Sequence, residues 1–329
     1  MPGTGWRRER TRPAPGDAPP VGLIGAPSDV AAGTRGAAMG PEALRVAGLP
    51  EALTAMGYTV RDRGNLVGPA HPGRAPEAGY RHLAETAAWA AAVHGAVRES
   101  LAAGEVPVLM GGDHALSIGS VAAAAEHARA QRRPLTVLWI DAHADFNTAE
   151  TSPSGNIHGM AVAILCGHGP DSLCALGPGR PILRPGQIRQ LGVRAVDAVE
   201  KRAVVDAGLE VQHMRSIDES GMRPAMARIL DAVAGRSAHL HVSLDLDALD
   251  PEIAPGVGTP VPGGLSYREA QLAMEMIHDS GALASLDVVE VNPALDTRNR
   301  TARLAVELVE SAFGEQILAR VLDSRRPWP

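Results

Sequence analysis

Short apolar runs in this 329-residue chain end, one after another, in acidic residues or histidine. The run LTVLWI (135–140) leads directly into DAHAD, and HLHVSLDLD (239–247) carries two aspartates at its own end. VPVLM is followed by GGDH, and LASLDVVEV (283–291) has a glutamate as its penultimate residue. Charged side chains are costly to bury unless they are paired or bind a metal. The pattern therefore favours buried strands whose carboxyl ends meet at one polar site.

Two further apolar runs, VGLIG (21–25) and QIRQLGV (187–193), are also predicted as strands. Helices are predicted between most of the strands, in GPEALRVAGLPEALTAMG, 76–103, 117–131, MRPAMARILDAVAG and SYREAQLAMEMIHDSG. Alternating strands and helices are typical of a mostly parallel sheet with helices on both faces. We expect a three-layer α/β fold, with a disordered tail over residues 1–20 and a single domain over 21–329.

Composition excludes several classes of function. The formal net charge is −6 and aromatic residues make up 3% of the chain, so the sequence lacks the basic and stacking features of a nucleic-acid-binding or membrane-surface protein. No apolar run approaches the length of a membrane span. The two cysteines, Cys166 and Cys174, exclude a disulfide scaffold and a thiolate zinc cluster, and they fit a reducing compartment. We expect a cytoplasmic protein with a small-molecule partner, and neither nucleic acid nor membrane.

The polar motifs at the strand ends have the composition of a metal site. DAHAD places three side chains at alternate positions, which point to the same side of an extended backbone, and SLDLD places two. GGDH adds a histidine behind a Gly-Gly turn. The six candidate ligands are His114, Asp141, His143, Asp145, Asp245 and Asp247. Four carboxylates and two imidazoles suit hard or borderline divalent cations, and two such cations balance four negative charges. The sequence thus predicts a two-metal site that generates a nucleophilic hydroxide.

Each motif has a weaker interpretation when it is taken alone. An Asp-x-Asp pair at a strand end can contact a ribose or lie in a solvated loop. Asp113 could orient a backbone turn as readily as it supports a ligand. Histidines outside the motifs are expected at the surface or in the core, and His239 and His241 are expected to be structural. Only the combination of three motifs, each after an apolar strand, favours the metal site.

Five segments together resemble the ureohydrolase family, and within it the arginases most closely: GGDHALSIGS, DAHADFNT, SGNIHGM, SLDLDALDP and VEVNPALD. The resemblance extends from about Val21 to the end of the chain. It implies an α/β domain with a central, mostly parallel eight-stranded sheet and two manganese ions per subunit. It also implies hydrolysis of L-arginine to L-ornithine and urea by a hydroxide that bridges the two ions.

The resemblance further implies roles for individual residues. One Mn²⁺ is assigned to His114, Asp141, Asp145 and Asp245. The other is assigned to His143, Asp141, Asp245 and Asp247, so that Asp141 and Asp245 bridge. Catalytic roles fall to His158, which resembles the family's proton shuttle, to Glu290, which resembles the carboxylate that receives the guanidinium, and to the ligand Asp145.

A second set of residues resembles the family's substrate-binding groups. Asn147, Ser152 and Ser154 match the loop that binds the α-carboxylate of the substrate. Asp197 and Glu200 match the pair around the α-amino group, and Thr259, like Glu290, lies near the guanidinium. Serine and asparagine are common in loops, however, and Asn147 could simply form a turn.

Alternatives remain for substrate and assembly. The chain could act on another guanidino compound, such as agmatine, guanidinobutyrate or a guanidino-amino acid, or it could be a non-catalytic metal-binding relative. Hydrogen-bond donors for an α-carboxylate favour arginine over agmatine. Agmatine has no α-carboxylate, so these donors would stay unpaired when agmatine is bound. Arg268 and Glu269 match a segment at subunit contacts in the family, which implies a homotrimer or homohexamer. An exposed Arg–Glu pair at a helix start explains the same residues equally well.

Overall fold

The computed structural model describes residues 18–231, 233 and 238–316. The predicted tail, 1–20, lies outside the described residues except for its last three positions. One sheet of eight strands runs through the described chain, and every pairing between neighbouring strands is parallel. The strands are β1 (Val21–Ala26), β2 (Val60–Asn65), β3 (Val106–Gly111), β4 (Leu135–Ile140), β5 (Ile188–Leu191), β6 (Glu210–Gln212), β7 (His239–Asp245) and β8 (Leu283–Val289). Their order is β2-β1-β3-β8-β7-β4-β5-β6, which confirms the predicted α/β fold with its parallel sheet.

The two strands that the apolar pattern missed, β2 and β6, are the two edges of the sheet. Strand β2 is exposed at five of its six positions, and β6 has three residues, of which one is buried. A strand buried on both faces needs a continuous apolar run, whereas an edge strand does not. The six strands that have such runs were all predicted.

Eleven α-helices occur within 18–231, 233 and 238–316. They are α1 (Gly40–Val46), α2 (Leu49–Ala55), α3 (Leu83–Ala102), α4 (Ser117–Ala130), α5 (Ala161–Leu165), α6 (Asp171–Cys174), α7 (Ala198–Ala207), α8 (Met214–Ser220), α9 (Met222–Asp231), α10 (Tyr267–Ser280) and α11 (Arg300–Ala312). None of them is long and apolar enough to cross a membrane.

Two predicted helices differ from the structure at points where the backbone turns. The segment predicted as one helix after Met39 is two helices, because Gly48 adopts a left-handed φ of 92° between α1 and α2. The helix predicted from residue 76 begins at Leu83. His82, with φ 57°, precedes it, and the His82 ring nitrogens lie 2.8 Å from the carbonyl oxygen of Val30 and 3.0 Å from that of Arg74. Tertiary contacts of one histidine thus set the start of α3.

Helices cover both faces of the sheet and bury its apolar side chains. Helices α1, α2 and α9 to α11 contribute to a hydrophobic cluster on one face, while α3, α4 and α5 contribute to clusters on the other. Helix α4 is rich in alanine and packs tightly against α3. A Cβ at Gly119 would collide with the carbonyl oxygen of Ala90, so only glycine permits this approach. This packing fixes the helix that follows the polar turn after β3.

Edge strand β2 is attached to the sheet by a buried carboxylate as well as by backbone pairing. Glu105, whose side chain is inaccessible to solvent, forms ion pairs with Arg61 at 3.0 Å and with Arg63 at 2.8 Å. It also accepts a hydrogen bond from the Ser100 hydroxyl at 2.6 Å. Gly22 of β1 leaves the space for this carboxylate, since a Cβ there would collide with Glu105.

Replacing Glu105 with glutamine should lower the free energy of unfolding by about 1–3 kcal/mol, because Arg61 and Arg63 lose their buried anionic partner. Burial raises the pKa of Glu105, but the hydrogen bonds from Ser100, Arg63 and Arg61 lower that pKa by more than burial raises it. The pKa of Glu105 in the folded chain therefore lies below its ordinary value. The stabilisation from Glu105 is therefore fully present above the pKa that this carboxyl has in the unfolded chain. It is lost as pH falls through the lower pKa that the carboxyl has in the folded chain.

Urea unfolding of both proteins between about pH 7 and about pH 3 measures this difference. The gap between wild type and Glu105→Gln should be largest near neutral pH and should shrink towards acid. Glu99→Gln, a change at an exposed position of α3, serves as the control. Equal stabilities of wild type and Glu105→Gln near neutral pH would contradict the role of Glu105.

Candidate functional site

The polar site lies at the carboxyl edge of the four central strands. Strands β3, β8, β7 and β4 are neighbours in the sheet, and parallel strands bring their carboxyl ends to the same edge. A cavity of about 520 Å³ opens there. Its walls come from the ends of β3, β4 and β7, from the loop after DAHAD and from the start of α7. The predicted convergence of strand ends on one polar site is therefore observed.

The DAHAD motif reaches the site by a different route from the one predicted. Strand β4 ends at Ile140, before the motif begins, so strand alternation does not place all three of its polar side chains. Asp145 has a left-handed φ of 51°, which turns the backbone back towards the strand ends. Its carbonyl oxygen accepts a hydrogen bond from Val162 N at 3.0 Å, at the start of α5. A bend held by α5, rather than an extended backbone, brings Asp145 beside Asp141.

The second aspartate motif begins at the last residue of β7 and turns at once. Asp245 Oδ1 accepts a hydrogen bond from Asp247 N at 2.7 Å, and a short 3-10 turn follows. Asp247 Oδ1 accepts from Ala142 N at 3.1 Å, and Asp247 Oδ2 accepts from the Thr259 hydroxyl at 2.9 Å. These bonds tie the two aspartate motifs to each other.

His114 is held by the turn after β3. Asp113 caps this turn, with Oδ1 accepting from Ala115 N and Oδ2 from Ala31 N, both at 3.1 Å. The His114 ring stacks on Trp139, with ring centroids 4.0 Å apart, and His114 Nε2 lies 2.9 Å from the Ser243 hydroxyl. The alternative considered for Asp113, that it orients a turn, matches its position.

Two groups of donor atoms face each other across this edge. His114 Nδ1 lies 2.9 Å from Asp245 Oδ2, 3.1 Å from Asp141 Oδ2 and 3.3 Å from Asp145 Oδ2. His143 Nδ1 lies 3.0 Å from Asp247 Oδ2 and 3.3 Å from Asp141 Oδ1. The groups that could each hold a cation are His114 with Asp141 and Asp245, and Asp141 with His143 and Asp247. They share Asp141, one oxygen on each side.

The buried donor atoms do not satisfy one another by hydrogen bonds, whereas a divalent cation placed among them would. His114 Nδ1 and Asp145 Oδ2 are buried and have no hydrogen-bond partner within the described part of the chain. Burial and the neighbouring charge of Asp141 hold the pKa of Asp145 well above its ordinary value. Burial raises the pKa of Asp141 too, but His114 and His143 lower it to well below the usual range. A set of carboxylate and imidazole donors without thiolate suits hard or borderline divalent cations.

Comparison with known proteins identifies the relationship. Residues 19–314 match the Arginase family. The chain belongs to the arginase family. The arginase of Bacillus caldovelox is 43% identical over 303 residues, which cover 91% of this chain and 99% of that protein. The arginase of Agrobacterium fabrum is 41% identical over 300 residues, covering 91% and 92%. The native structure of the Bacillus caldovelox arginase at pH 5.6 superposes with a TM-score of 0.86 at 40% identity, covering 92% of this chain and all of that one.

In this member of the arginase family, Glu290 and His158 form a pair beside the donor groups. Glu290 follows β8 with a left-handed φ of 62°. Its Oε1 accepts from His114 N at 2.9 Å and lies 3.0 Å from His158 Nδ1, while its Oε2 is buried without a hydrogen-bond partner among the residues described. Burial lowers the pKa of His158, but the hydrogen bond and charge of Glu290 outweigh it and raise that pKa.

The loop residues predicted for the substrate's carboxylate all line the cavity. Ser152 Oγ accepts a hydrogen bond from Gly155 N at 3.0 Å, and Ser154 Oγ accepts one from Asn156 N at 3.2 Å. Because both oxygens already accept, each hydroxyl proton is available to donate to an anion. Asn147 lines the cavity as well.

Asp197 and Glu200 stand at the start of α7, where Asp197 is the N-cap residue. Asp197 Oδ2 accepts from Asn147 Nδ2 at 3.1 Å. Glu200 is buried, and its two oxygens accept from Phe146 N at 2.8 Å and from Asp197 N at 3.2 Å. Glu200 thus joins the segment after DAHAD to α7 and holds Asp197 in place, although both residues line the cavity.

Two basic side chains that line the cavity, Arg194 and Lys201, were not predicted as site residues from the sequence. The Arg194 guanidinium donates to the carbonyl oxygens of Val261 at 2.6 Å, Asp247 at 2.8 Å and Ala248 at 3.0 Å, which braces the loops beneath the site. Arg194 lies in the segment GVRAVDAVE, which also resembles the arginases, but no role was assigned to it. A signal for Lys201 did exist, since it is the only lysine in the chain.

Asp141→Asn should lose at least one metal equivalent, because Asp141 supplies an oxygen to both donor groups. Asp245→Asn should also lose at least one metal equivalent, because Asp245 is assigned to both ions. Elemental analysis of protein purified with added Mn²⁺ measures the content directly. Asp197→Asn, a change in the same cavity but outside both donor groups, is the matched control and should keep the wild-type content. Full wild-type metal content in Asp141→Asn would refute its assignment.

Proposed function

We propose that the chain hydrolyses L-arginine to L-ornithine and urea at a centre that holds two Mn²⁺ ions. One observation carries the proposal: two groups of metal donors, all buried except the partly exposed His143, share Asp141 and lie beside Glu290 Oε2, a carboxylate oxygen that has no partner in the described chain. The identity of about 40% to arginases over nine-tenths of the chain supports the same activity.

Six side chains would hold the two ions. One set is His114, Asp141, Asp145 and Asp245. The other is His143, Asp141, Asp245 and Asp247. Two divalent cations bound together lower the pKa of a coordinated water and so supply a strong nucleophile at neutral pH. The oxygen-rich donor set favours manganese over metals that prefer thiolate.

Glu290 would receive the guanidinium of the substrate. A guanidinium stays cationic at neutral pH, and a carboxylate binds it by strong charge-assisted hydrogen bonds. Because His114 N and the His158 ring hold Glu290 Oε1, the free Oε2 has a fixed position. Gly258 lies beside this oxygen, since a Cβ at Gly258 would be 3.4 Å from Oε2. Positioning of this kind lowers the entropic cost of reaching the reactive geometry.

His158 would move the proton that the leaving amine needs. Its ring lines the cavity, and Nδ1 is held by Glu290 at 3.0 Å. Glu290 favours the protonated ring, so His158 can hold a proton near neutral pH and release it to a developing amine. General acid catalysis of this type contributes ~10²–10⁴-fold.

The mouth of the cavity would select the amino-acid end of the substrate. The free hydroxyl protons of Ser152 and Ser154 can donate to the α-carboxylate, while Asp197 Oδ1 can accept from the α-ammonium. Groups arranged in this way discriminate against agmatine, which has no carboxylate, because its absence leaves donors unpaired. The complete set of donors, with Glu290 and His158 in place, argues against a non-catalytic relative.

We also propose where the protein acts and how it assembles. Residues 21–329 form a single catalytic domain in a cytoplasmic homotrimer or homohexamer, with no nucleic-acid or membrane partner. The net charge of −6 and the two buried, unpaired cysteines support this setting. In the isolated chain Glu269 caps α10 through Ser266 and Arg268 contacts Gln271, so both residues also have roles within the subunit.

Urea release with Mn²⁺ tests the activity. L-Arginine should be hydrolysed far better than agmatine or guanidinobutyrate, because it alone fills both ends of the cavity. Preference for agmatine or guanidinobutyrate would assign the chain to another ureohydrolase reaction. Release of no urea from any of the three would favour a non-catalytic role.

Asp197→Ala should raise the KM for L-arginine roughly 10- to 100-fold, the loss expected for one hydrogen bond to a charged group, while both metals stay bound. Asp206→Ala, which removes an exposed carboxylate from the far end of α7, is the control. Steady-state kinetics and elemental analysis on the same samples separate a lost substrate contact from a lost metal. An unchanged KM would remove Asp197 from the substrate site.

A further inference from the structure

Lys201 is the only lysine among the 31 lysine and arginine residues of the chain, and it lines the cavity. It directly follows Glu200 in the first turns of α7. Its backbone N–H donates to Asp197 O at 2.9 Å, so the helix fixes where the side chain begins. The position is therefore anchored while the ammonium is free to reach along the cavity wall.

The cavity presents an electrostatic problem to an amino-acid substrate. Five carboxylates line it, at Asp145, Asp197, Glu200, Asp245 and Asp247. Bound cations would offset the charge at the metal centre, but Asp197 stands outside both donor groups. An α-carboxylate placed near Asp197 meets a like charge, which disfavours binding unless a cation lies nearby.

Of Arg194 and Lys201, the arginine and the lysine that line the cavity, only Lys201 has no partner for its side chain among the described residues. Arg194 directs its guanidinium at the backbone carbonyl oxygens of five residues and is only partly exposed. The Lys201 side chain is exposed and forms no hydrogen bond or ion pair to residues 18–231, 233 or 238–316. The hydroxyls of Ser152 and Ser154 are neutral donors and cannot offset a charge.

We propose that the Lys201 ammonium determines substrate specificity by attracting the α-carboxylate of the amino acid, together with the two serine hydroxyls. The inference rests on the proposed function, because it assigns a further residue to the same substrate. It adds a positive charge to a recognition site whose other members are neutral or negative. Lysine acts here as a flexible point charge, which suits a partner that enters and leaves the cavity mouth.

Three variants test the role by steady-state kinetics. Lys201→Gln should raise the KM for L-arginine about two- to fivefold, the size of one exposed ion pair, with kcat unchanged. Lys201→Arg keeps the charge and should stay near the wild-type KM. Arg202→Gln removes an equal charge from the next residue, which is exposed and does not line the cavity, and should leave the KM unchanged.

Two binding measurements attribute the effect to the carboxylate. Calorimetry of Mn²⁺-loaded protein should show weaker binding of L-ornithine to Lys201→Gln and not to Arg202→Gln. The inhibition constant of L-argininamide, whose carboxylate is replaced by a neutral amide, should not respond to Lys201→Gln. The KM difference should also shrink in concentrated salt, because exposed charges are screened.

Because lysine occurs once, chemical acetylation offers a test without a mutation. Acetic anhydride followed by hydroxylamine modifies Lys201 and the N-terminal amine of wild type, but only the N-terminal amine of Lys201→Arg. The acetylated wild type should reproduce the KM of Lys201→Gln, while acetylated Lys201→Arg should keep its original KM. Mass spectrometry confirms which amines have reacted.

The possible failures are distinguishable. An active wild type whose KM is unchanged both by Lys201→Gln and by acetylation overturns the role of Lys201 alone. A KM increase of the same size in Arg202→Gln also overturns it, because a general loss of positive charge then explains the effect. A wild type that releases no urea from L-arginine overturns the proposed function, and this inference with it.

Discussion

Repulsion among buried carboxylates at one edge of the sheet is the constraint on which the rest of the structure depends. Asp141, Asp145, Asp245 and Asp247 are all almost completely buried within a few ångströms of two histidines. Such a cluster is tolerable only when positive charge is placed among the carboxylates. The parallel sheet supplies the rigid frame that keeps these carboxylates together. The cavity above them would give a substrate access to the cations that we propose balance their charge.

The frame beneath the cluster is polar as well. His114 contacts the Ser243 hydroxyl of β7, and Ser243 contacts the Ser117 hydroxyl at the start of α4. Further down the same strands, His241 contacts Asp287 of β8 at 3.1 Å, and both side chains are buried. Groups of this kind need every partner in place, so they fix the relative position of β7, β8 and α4. His114, a proposed metal ligand, is thus positioned by contacts that extend well below the proposed metal site.

Part of this arrangement follows from local sequence alone. Continuous apolar runs predicted the six inner strands, and the aspartate and histidine residues that follow them predicted the donor set. The edge strands β2 and β6 were not predicted, because they are short or exposed and need no continuous apolar run. The start of α3 was predicted too early, because the contact between His82 and Val30, 52 positions apart, helps to set where the helix begins. The periodicity of neighbouring residues contains no information about a contact between residues so far apart in sequence.

The sequence by itself determined which chemistry the chain carries: oxygen and nitrogen donors without thiolate, an imidazole and a carboxylate beside them, and one lysine. Only the tertiary structure decided how they meet. Asp145 and Glu290 enter the site through left-handed backbone turns, and Glu200 acts through backbone N–H groups of segments distant in sequence. The reason is physical: residue type fixes charge and donor atoms, whereas distances between donors depend on how separate strands and loops pack.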